Sequence, residues 1–399
     1  MENMEQTSGG GGGSTGKWII GLIVLALVIW GLVAANKNKN GDKGTENKEA
    51  GVMEKGPYKV GVLLPLTGDA AVYGEPLRNV IEIAASEINA EGKIKLEVIF
   101  EDGKCNGKDA TSAIQKLVNV DKVQFVLGGG CSGESLAAIP VAEQAKVVMV
   151  SALSTNPKLT GISPYFFRLA PSDSAQGVMD ADLANKKGYK TVAALVEQTD
   201  YATGVYDVFN TAFTKYDGKT VKEEYPSESG DFRTQLTKLK AANADALLLV
   251  SQSATAAGKI LKQMQGMNWK PQIIITESLT TDAQFLMDYK DMLEGAYGAE
   301  FKISASNEKF KKLSEVYKTK HGKELPYGSF SAAVYDTVYI FADGVNAVGY
   351  NGEKLAQWSR TIKNWPGASG DVTIKPDGDS QNAYSLSVVK GGKLEPYTE

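Results

Sequence analysis

The sequence is poorest in the residues that carry metal and acid-base chemistry: 399 residues include one histidine, His321, and two cysteines, Cys105 and Cys131. A Cys/His zinc site needs about four such ligands close together, so that class is excluded and neither metal nor cofactor is expected. Histidine-based catalysis would rest on His321 alone, which sits in the polar run 318–323 and reads as a solvated helix-end residue. No Gly-x-Ser-x-Gly elbow between a predicted strand and helix is found, and Cys131 has no histidine near it in sequence to act as its base. The chain is therefore not expected to be an enzyme. An excess of one charge is missing too. With 43 Lys and Arg against 47 Asp and Glu, the net charge of -4 offers no basic sheath, and nucleic acid is not an expected partner.

Against this soluble background, residues 18–35 form an uninterrupted run of apolar and small side chains, long enough to cross a bilayer at the lower limit. Trp18 and Trp30 would be its interface anchors. Residues 1–17 form a Gly-rich head in which Lys17 is the only basic residue, unlike the positive start of a secretory signal. Two readings stay open: an uncleaved single-pass anchor, which we favour, and a signal cleaved after Val33-Ala34-Ala35. Lysines at 37, 39, 43 and 48 would by themselves keep the following side cytoplasmic, but export of a long folded domain overrides that bias. Residues 36–56, rich in Asn, Lys, Gly and Glu without a hydrophobic period, read as a solvated linker.

From residue 58 onward, short β-branched runs alternate with amphipathic stretches. Strands are predicted at 58–64, 95–101, 123–127, 147–150, 191–196, 244–250 and 272–276, and helices at 75–90, 109–118, 135–145, 204–216, 232–241 and 256–266. Continuous apolar strands separated by helices imply βαβ crossovers and parallel sheets covered on both faces. One sheet seldom holds so many units, and a polar break falls near Pro171-Ser172-Asp173-Ser174. The predicted fold is α/β, with two doubly wound parallel-sheet lobes facing each other across a cleft at the carboxyl ends of their strands.

Two motifs mislead. Residues 11–18 look like a phosphate loop until Trp18 replaces the required Ser or Thr. Gly128-Gly129-Gly130-Cys131-Ser132-Gly133 matches a dinucleotide fingerprint, yet no acid occurs from 146 through 172, where the ribose partner would fall. Cys105 and Cys131 each follow a predicted strand at the same sheet edge. Paired, they fit an oxidising compartment and would stiffen the turn carrying Ser132; unpaired, they are small core residues.

Read in order, several segments resemble one family. They are Lys59 to Gly68 with Val72-Tyr73-Gly74, Ile88-Asn89-Ala90, Glu101-Asp102 before Cys105, Gly130-Cys131-Ser132, Ser151 to Thr160, Ser172 to Gly177, and Tyr201. Their order and spacing over some 300 residues are similar to type I periplasmic solute-binding proteins, in particular the leucine/isoleucine/valine-binding branch of ABC import systems. The resemblance implies that Ser132 and Ser154-Thr155, with the backbone at Leu153, hold a ligand α-carboxylate, and that Glu277 pairs with its ammonium. It implies aromatic walls at Tyr73, Tyr201 and Phe330. Where the family carries a hydrogen-bonding tyrosine, Gln252 or Ser253 stands here, which leaves the side-chain preference open. It further implies lobes of 58–172 plus 300–366 and 173–299 plus 367–399.

The function expected is capture of an amino acid, branched-chain or similar, by cleft closure. The domain would be extracytoplasmic, monomeric and held at the cell membrane, and would deliver its ligand to an ABC permease complex. The alternative is a ligand-sensing ectodomain working with a separate receptor chain.

Overall fold

The computed structural model describes residues 56–398. The Gly-rich head, the apolar run 18–35 and the linker up to 55 lie outside the described residues. Among the described residues, no helix is long and apolar enough to cross a membrane.

The first half of the chain runs β1 (Tyr58–Leu64), α1 (Ala71–Glu91), β2 (Leu96–Asp102), α2 (Gly107–Asn119), β3 (Phe125–Gly128), α3 (Ser132–Gln144), β4 (Val148–Ser151) and β5 (Phe166–Arg168). These strands pair in parallel in the order β2-β1-β3-β4-β5. β3 and β4 are buried along their whole length, as strands covered on both faces must be. One face packs Val60, Val62, Phe125 and Val150 against α1. The other packs Leu63, Val126 and Met149 against α2 and α3. Local chemistry sets the helix ends: Asn106 accepts the Asp109 amide at 2.9 Å to start α2, and α1 stops at Gly92, whose φ of 72° suits glycine.

The second sheet follows with α4 (Asp173–Lys186), β6 (Thr191–Glu197), α5 (Asp200–Thr214), β7 (Lys219–Tyr225), α6 (Arg233–Ala241), β8 (Ala246–Val250), α7 (Ala254–Gly266), β9 (Gln272–Ile275), and the short helices α8 (Glu277–Thr280), α9 (Ala283–Asp288) and α10 (Lys290–Leu293). β10 (Tyr297–Phe301) completes its parallel part. The order β10-β9-β8-β6-β7 repeats that of the first sheet, so each has its switch point at the equivalent pair of strands. Two antiparallel strands, β13 (Tyr384–Lys390) and β14 (Lys393–Pro396), extend it beyond β10, so this sheet is mixed where a purely parallel one is predicted.

Between β10 and β13 the chain returns to the first sheet as α11 (Glu308–His321), α12 (Gly328–Val348), α13 (Gly352–Ser359) and the ribbon β11 (Trp365–Gly367) with β12 (Gly370–Val372). α12 is buried along most of its length in the same core as α1. The segment that follows β12 stays beside the first sheet, where Arg168 and Asp379 form an isolated bridge and Ser380 donates to the Leu169 carbonyl.

His321 differs from expectation. It closes α11 but is half-buried against Tyr317, at 4.7 Å between ring centroids, and its Nε2 is buried without a hydrogen-bond partner among the described residues.

Candidate functional site

The carboxyl ends of the two sheets converge on one small cavity. It is lined by Tyr73, Gly130, Ser132, Leu153, Thr155, Tyr201, Gln252, Glu277, Ser278 and Phe330. Its interior leaves about 40 Å³ for the centres of water-sized spheres, the space of a few waters. A larger recess of about 910 Å³, lined partly by Glu75, Asp282, His321 and Tyr327, lies off the strand ends among α1, α9 and the turn before α12. Size favours that recess. The convergence of hydrogen-bonding groups favours the smaller cavity, and we place the candidate site there.

The first-sheet side is built on the turn after β3. Cys105 and Cys131 are joined by a disulfide spanning 26 positions. Cys131 is the N-cap of α3, so the helix begins at Ser132 rather than near Ser135; Ser132 lines the cavity, and its hydroxyl accepts the Asn156 amide at 3.2 Å. The buried Glu134 carboxylate accepts the Cys105 amide at 2.8 Å and the Cys131 amide at 3.0 Å, which ties both half-cystines to the helix end. Burial pushes Glu134 up to about 7, against the lowering effect of its backbone hydrogen bonds. A side chain at Gly129 would collide with Glu134, its Cβ falling 2.5 Å from the Glu134 Cβ, so this turn tolerates only glycine.

The turn after β4 supplies Leu153 and Thr155. Ser154 lies between them, but its hydroxyl is buried behind the cavity wall. It donates to the Gly129 carbonyl at 2.9 Å and meets the Ser135 hydroxyl at 2.8 Å. It fixes the glycine turn, and it is the predicted site residue that does not line the cavity.

The second-sheet side is acidic. Glu277 lies one residue beyond the end of β9, after the N-cap Thr276, and is 3% exposed. Its Oε2 accepts from the Tyr201 hydroxyl at 2.6 Å and from Gln176 Nε2 at 2.7 Å, while its own amide donates to Gln176 Oε1 at 2.7 Å. Burial raises Glu277 above the usual carboxylate range, and these hydrogen bonds offset part of the rise. Asp173 and Asp180 are also fully buried on α4, and both are raised well above their ordinary value by burial and then by the charge of Glu277. Both Asp180 oxygens and Oδ2 of Asp173 lack hydrogen-bond partners among the described residues.

Aromatics close the cavity. The Tyr73 hydroxyl donates to the Gln252 carbonyl at 3.1 Å and to the Ser278 carbonyl at 3.3 Å, linking α1 to the second sheet. Tyr73 packs on Tyr327 at 4.7 Å, and Phe330 on Phe301 at 5.6 Å, between ring centroids. Gln252 is held by its backbone, its amide donating to Glu197 Oε2 at 2.7 Å. Its side-chain amide makes no hydrogen bond among the described residues and borders the cavity.

Of the nine predicted site residues, the structure thus brings all but Ser154 to one cavity. Gln176, Ser278 and the pair Asp173 and Asp180 are additional. The signal for the α4 residues is faintly present: Asp173, Gln176 and Asp180 recur at helical spacing on a face that also buries Ala181 and Ala184.

A model of the periplasmic binding protein family matches residues 57–393. Over 315 residues the chain is 28% identical to an amino acid binding protein of Pseudomonas aeruginosa, covering 76% of this chain and 82% of that one. The structure of the leucine binding protein LivK from Thermotoga maritima superposes with a TM-score of 0.77 at 28% identity, covering 86% of this chain and 98% of that one. A solute binding protein of an ABC transporter from Rhodopseudomonas palustris, in complex with 3,4-dihydroxy benzoic acid, superposes with a TM-score of 0.73 at 25% identity, covering 85% of this chain and 95% of that one.

Proposed function

The chain belongs to the periplasmic binding protein family, in the branch of leucine/isoleucine/valine-binding proteins, and on that premise we propose that its cleft captures a free α-amino acid and releases it unchanged to a membrane importer. The family binds solutes and is not enzymatic. In the proposed complex the α-carboxylate takes hydrogen bonds from Ser132 and Thr155 and lies at the amino end of α3, where unpaired amides and the helix dipole favour an anion. The ammonium pairs with Glu277. Tyr73, Tyr201, Leu153 and Phe330 enclose the rest, and Gln252 faces the side chain.

The observation that carries this reading is Glu277: a buried carboxylate set opposite a wall of neutral donors, with Tyr201 and Gln176 holding one of its oxygens. A relative that holds dihydroxybenzoate shows that this fold also accommodates a carboxylate ligand without an amine. For such a ligand, burying Glu277 would be a cost with no return, because an unpaired buried charge is strongly unfavourable. That relative is a component of an ABC transporter, which supports delivery to a permease over signalling through a separate receptor.

Family membership implies an extracytoplasmic location, and the disulfide suits an oxidising compartment. We extend the proposal to residues 18–35 as the membrane tether, and to two lobes that exchange the chain at about 172 and 300 as expected, and a third time near 383 rather than 366, because Asp379 and Ser380 stay beside the first sheet. Isothermal titration against the twenty amino acids and 3,4-dihydroxybenzoate is the test. Saturable binding of one or more amino acids, with no heat from the benzoate, is expected. Binding of the benzoate alone would overturn the amino-acid reading.

A further inference from the structure

We infer that Asn156 is a positioning residue that latches the cleft shut, joining the turn that presents Thr155 to the helix that presents Tyr201. Asn156 is 1% exposed, and its polar groups face two ways. On its own side its amide donates to Ser132 Oγ at 3.2 Å, its Oδ1 accepts the Lys158 amide at 2.8 Å, and its carbonyl accepts from Arg168 at 2.9 Å. Arg168 is fully buried and pairs with Asp379 at 2.7 Å, so the base of this turn is rigid. Across the cleft, Asn156 Nδ2 donates to the carbonyl of Asp200 at 2.6 Å. Asp200 is the first residue of α5, and Tyr201, the hydroxyl partner of Glu277, is the second.

Two glycines make the approach possible, one on each side. A Cβ at Gly204, one turn into α5, would lie 2.5 Å from Asn156 Nδ2 and 3.1 Å from Pro157 Cδ. A Cβ at Gly133, the second residue of α3, would lie 2.8 Å from Asp200 Oδ2. Neither glycine has a positive φ, so what each position requires is clearance and not unusual backbone freedom. The amino end of α5 therefore packs against that of α3 and is hydrogen-bonded to the turn after β4, a bond available only when the two sides are together. Because Asn156 also contacts Ser132, an anion bound at Ser132 would be sensed by the residue that holds the far lobe. The latch acts on the lifetime of the closed state, not on the contacts of the ligand itself.

The inference rests on the amino-acid reading only for its probe. Two variants isolate it. Asn156→Asp keeps the oxygen that caps the Lys158 amide but replaces the donor with an acceptor, and Gly204→Ala blocks the approach from the opposite side with the sequence of the turn unchanged. With the tightest-binding amino acid as probe, stopped-flow kinetics should show dissociation about tenfold faster in each, the order expected for loss of one buried hydrogen bond. Association should stay within about threefold of wild type, because closure follows encounter. Small-angle scattering should show a larger radius of gyration for each variant than for wild type under the same conditions. Wild-type dissociation in both variants, or a loss confined to association together with a lowered melting temperature of the free protein, would overturn the latch. If no amino acid binds the wild-type protein, the amino-acid reading fails by itself; the latch is then decided by scattering of the ligand-free proteins, where equal radii would overturn it.

Discussion

On its first-sheet side the cavity meets Tyr73, Ser132, Leu153 and Thr155, and no carboxylate lines it. On its second-sheet side it meets Glu277, with Asp173 and Asp180 buried behind on α4. Both sides are carboxyl ends of sheets with the same strand order, so the scaffold does not explain the contrast. The explanation is local. After β3 the chain enters its helix through Cys131 and Ser132, small residues that bring no charge to the cavity. After β9 it enters through Glu277, which supplies its own negative charge. One scaffold, used twice with different first residues, yields a wall suited to an anion and a wall suited to a cation.

The contrast breaks most severely at Glu277. Glu277→Gln keeps shape and hydrogen bonding but removes the charge, and it should weaken amino-acid binding about a hundredfold or more by titration calorimetry. A simple carboxylate ligand should lose little. On stability rather than affinity, the largest effect belongs to the disulfide. Replacing Cys105 and Cys131 with serine should lower unfolding free energy by about 3.5 kcal/mol in denaturant titration, from loss of a constraint over 26 positions. Ser132→Ala should follow, weakening the amino acid about tenfold while leaving an amine without a carboxylate unaffected.

Acidification should act on the two walls in opposite directions. Protonating Glu277, already raised by burial, removes the partner of the ammonium, so amino-acid affinity should fall as pH drops below neutrality. Beneath the first wall, Glu134 sits at about 7. In the Glu277→Gln protein, residual binding of a carboxylate should therefore rise a few-fold between pH 8 and pH 6, as protonated Glu134 ceases to repel it. The smallest effect is on stability. A carboxyl raised in the folded state holds its proton where the unfolded chain has lost it, so its contribution is largest at the acidic edge of that window. Melting temperature of the ligand-free protein should fall modestly from about pH 5 to pH 7, and less so in Glu134→Gln.

Much of this was legible before any coordinates. β1 falls at the predicted residues, and the six other predicted strands lie within two residues of the observed ones, because continuous Val, Ile and Leu runs declare a strand buried on both faces. β7 was missed for the opposite reason: Lys219-Thr220-Val221-Lys222-Glu223-Glu224-Tyr225 lies at a sheet edge and carries mostly polar residues. α4 was missed because Asp173, Gln176 and Asp180 occupy the face that apolar residues would normally mark. α12 was missed because it is buried on most of its sides, so that apolar residues are not confined to one stripe. In the site, residues at strand ends could be found from their position in sequence. Gln176 could not, since it reaches Glu277 across 101 positions and no local pattern announces that contact. Ser154 reads like its neighbour Thr155, and only packing shows that its hydroxyl turns toward Gly129.

The central claim is that one ligand is held at both ends by walls of opposite character. Its most direct test compares, by titration calorimetry at neutral pH, the tightest-binding amino acid with its deaminated carboxylic acid and its decarboxylated amine. Binding of the amino acid, with both analogues weaker by about a hundredfold or more, is the predicted result. A deaminated acid that binds as tightly as the amino acid would show that Glu277 does not meet an ammonium, and would contradict the account.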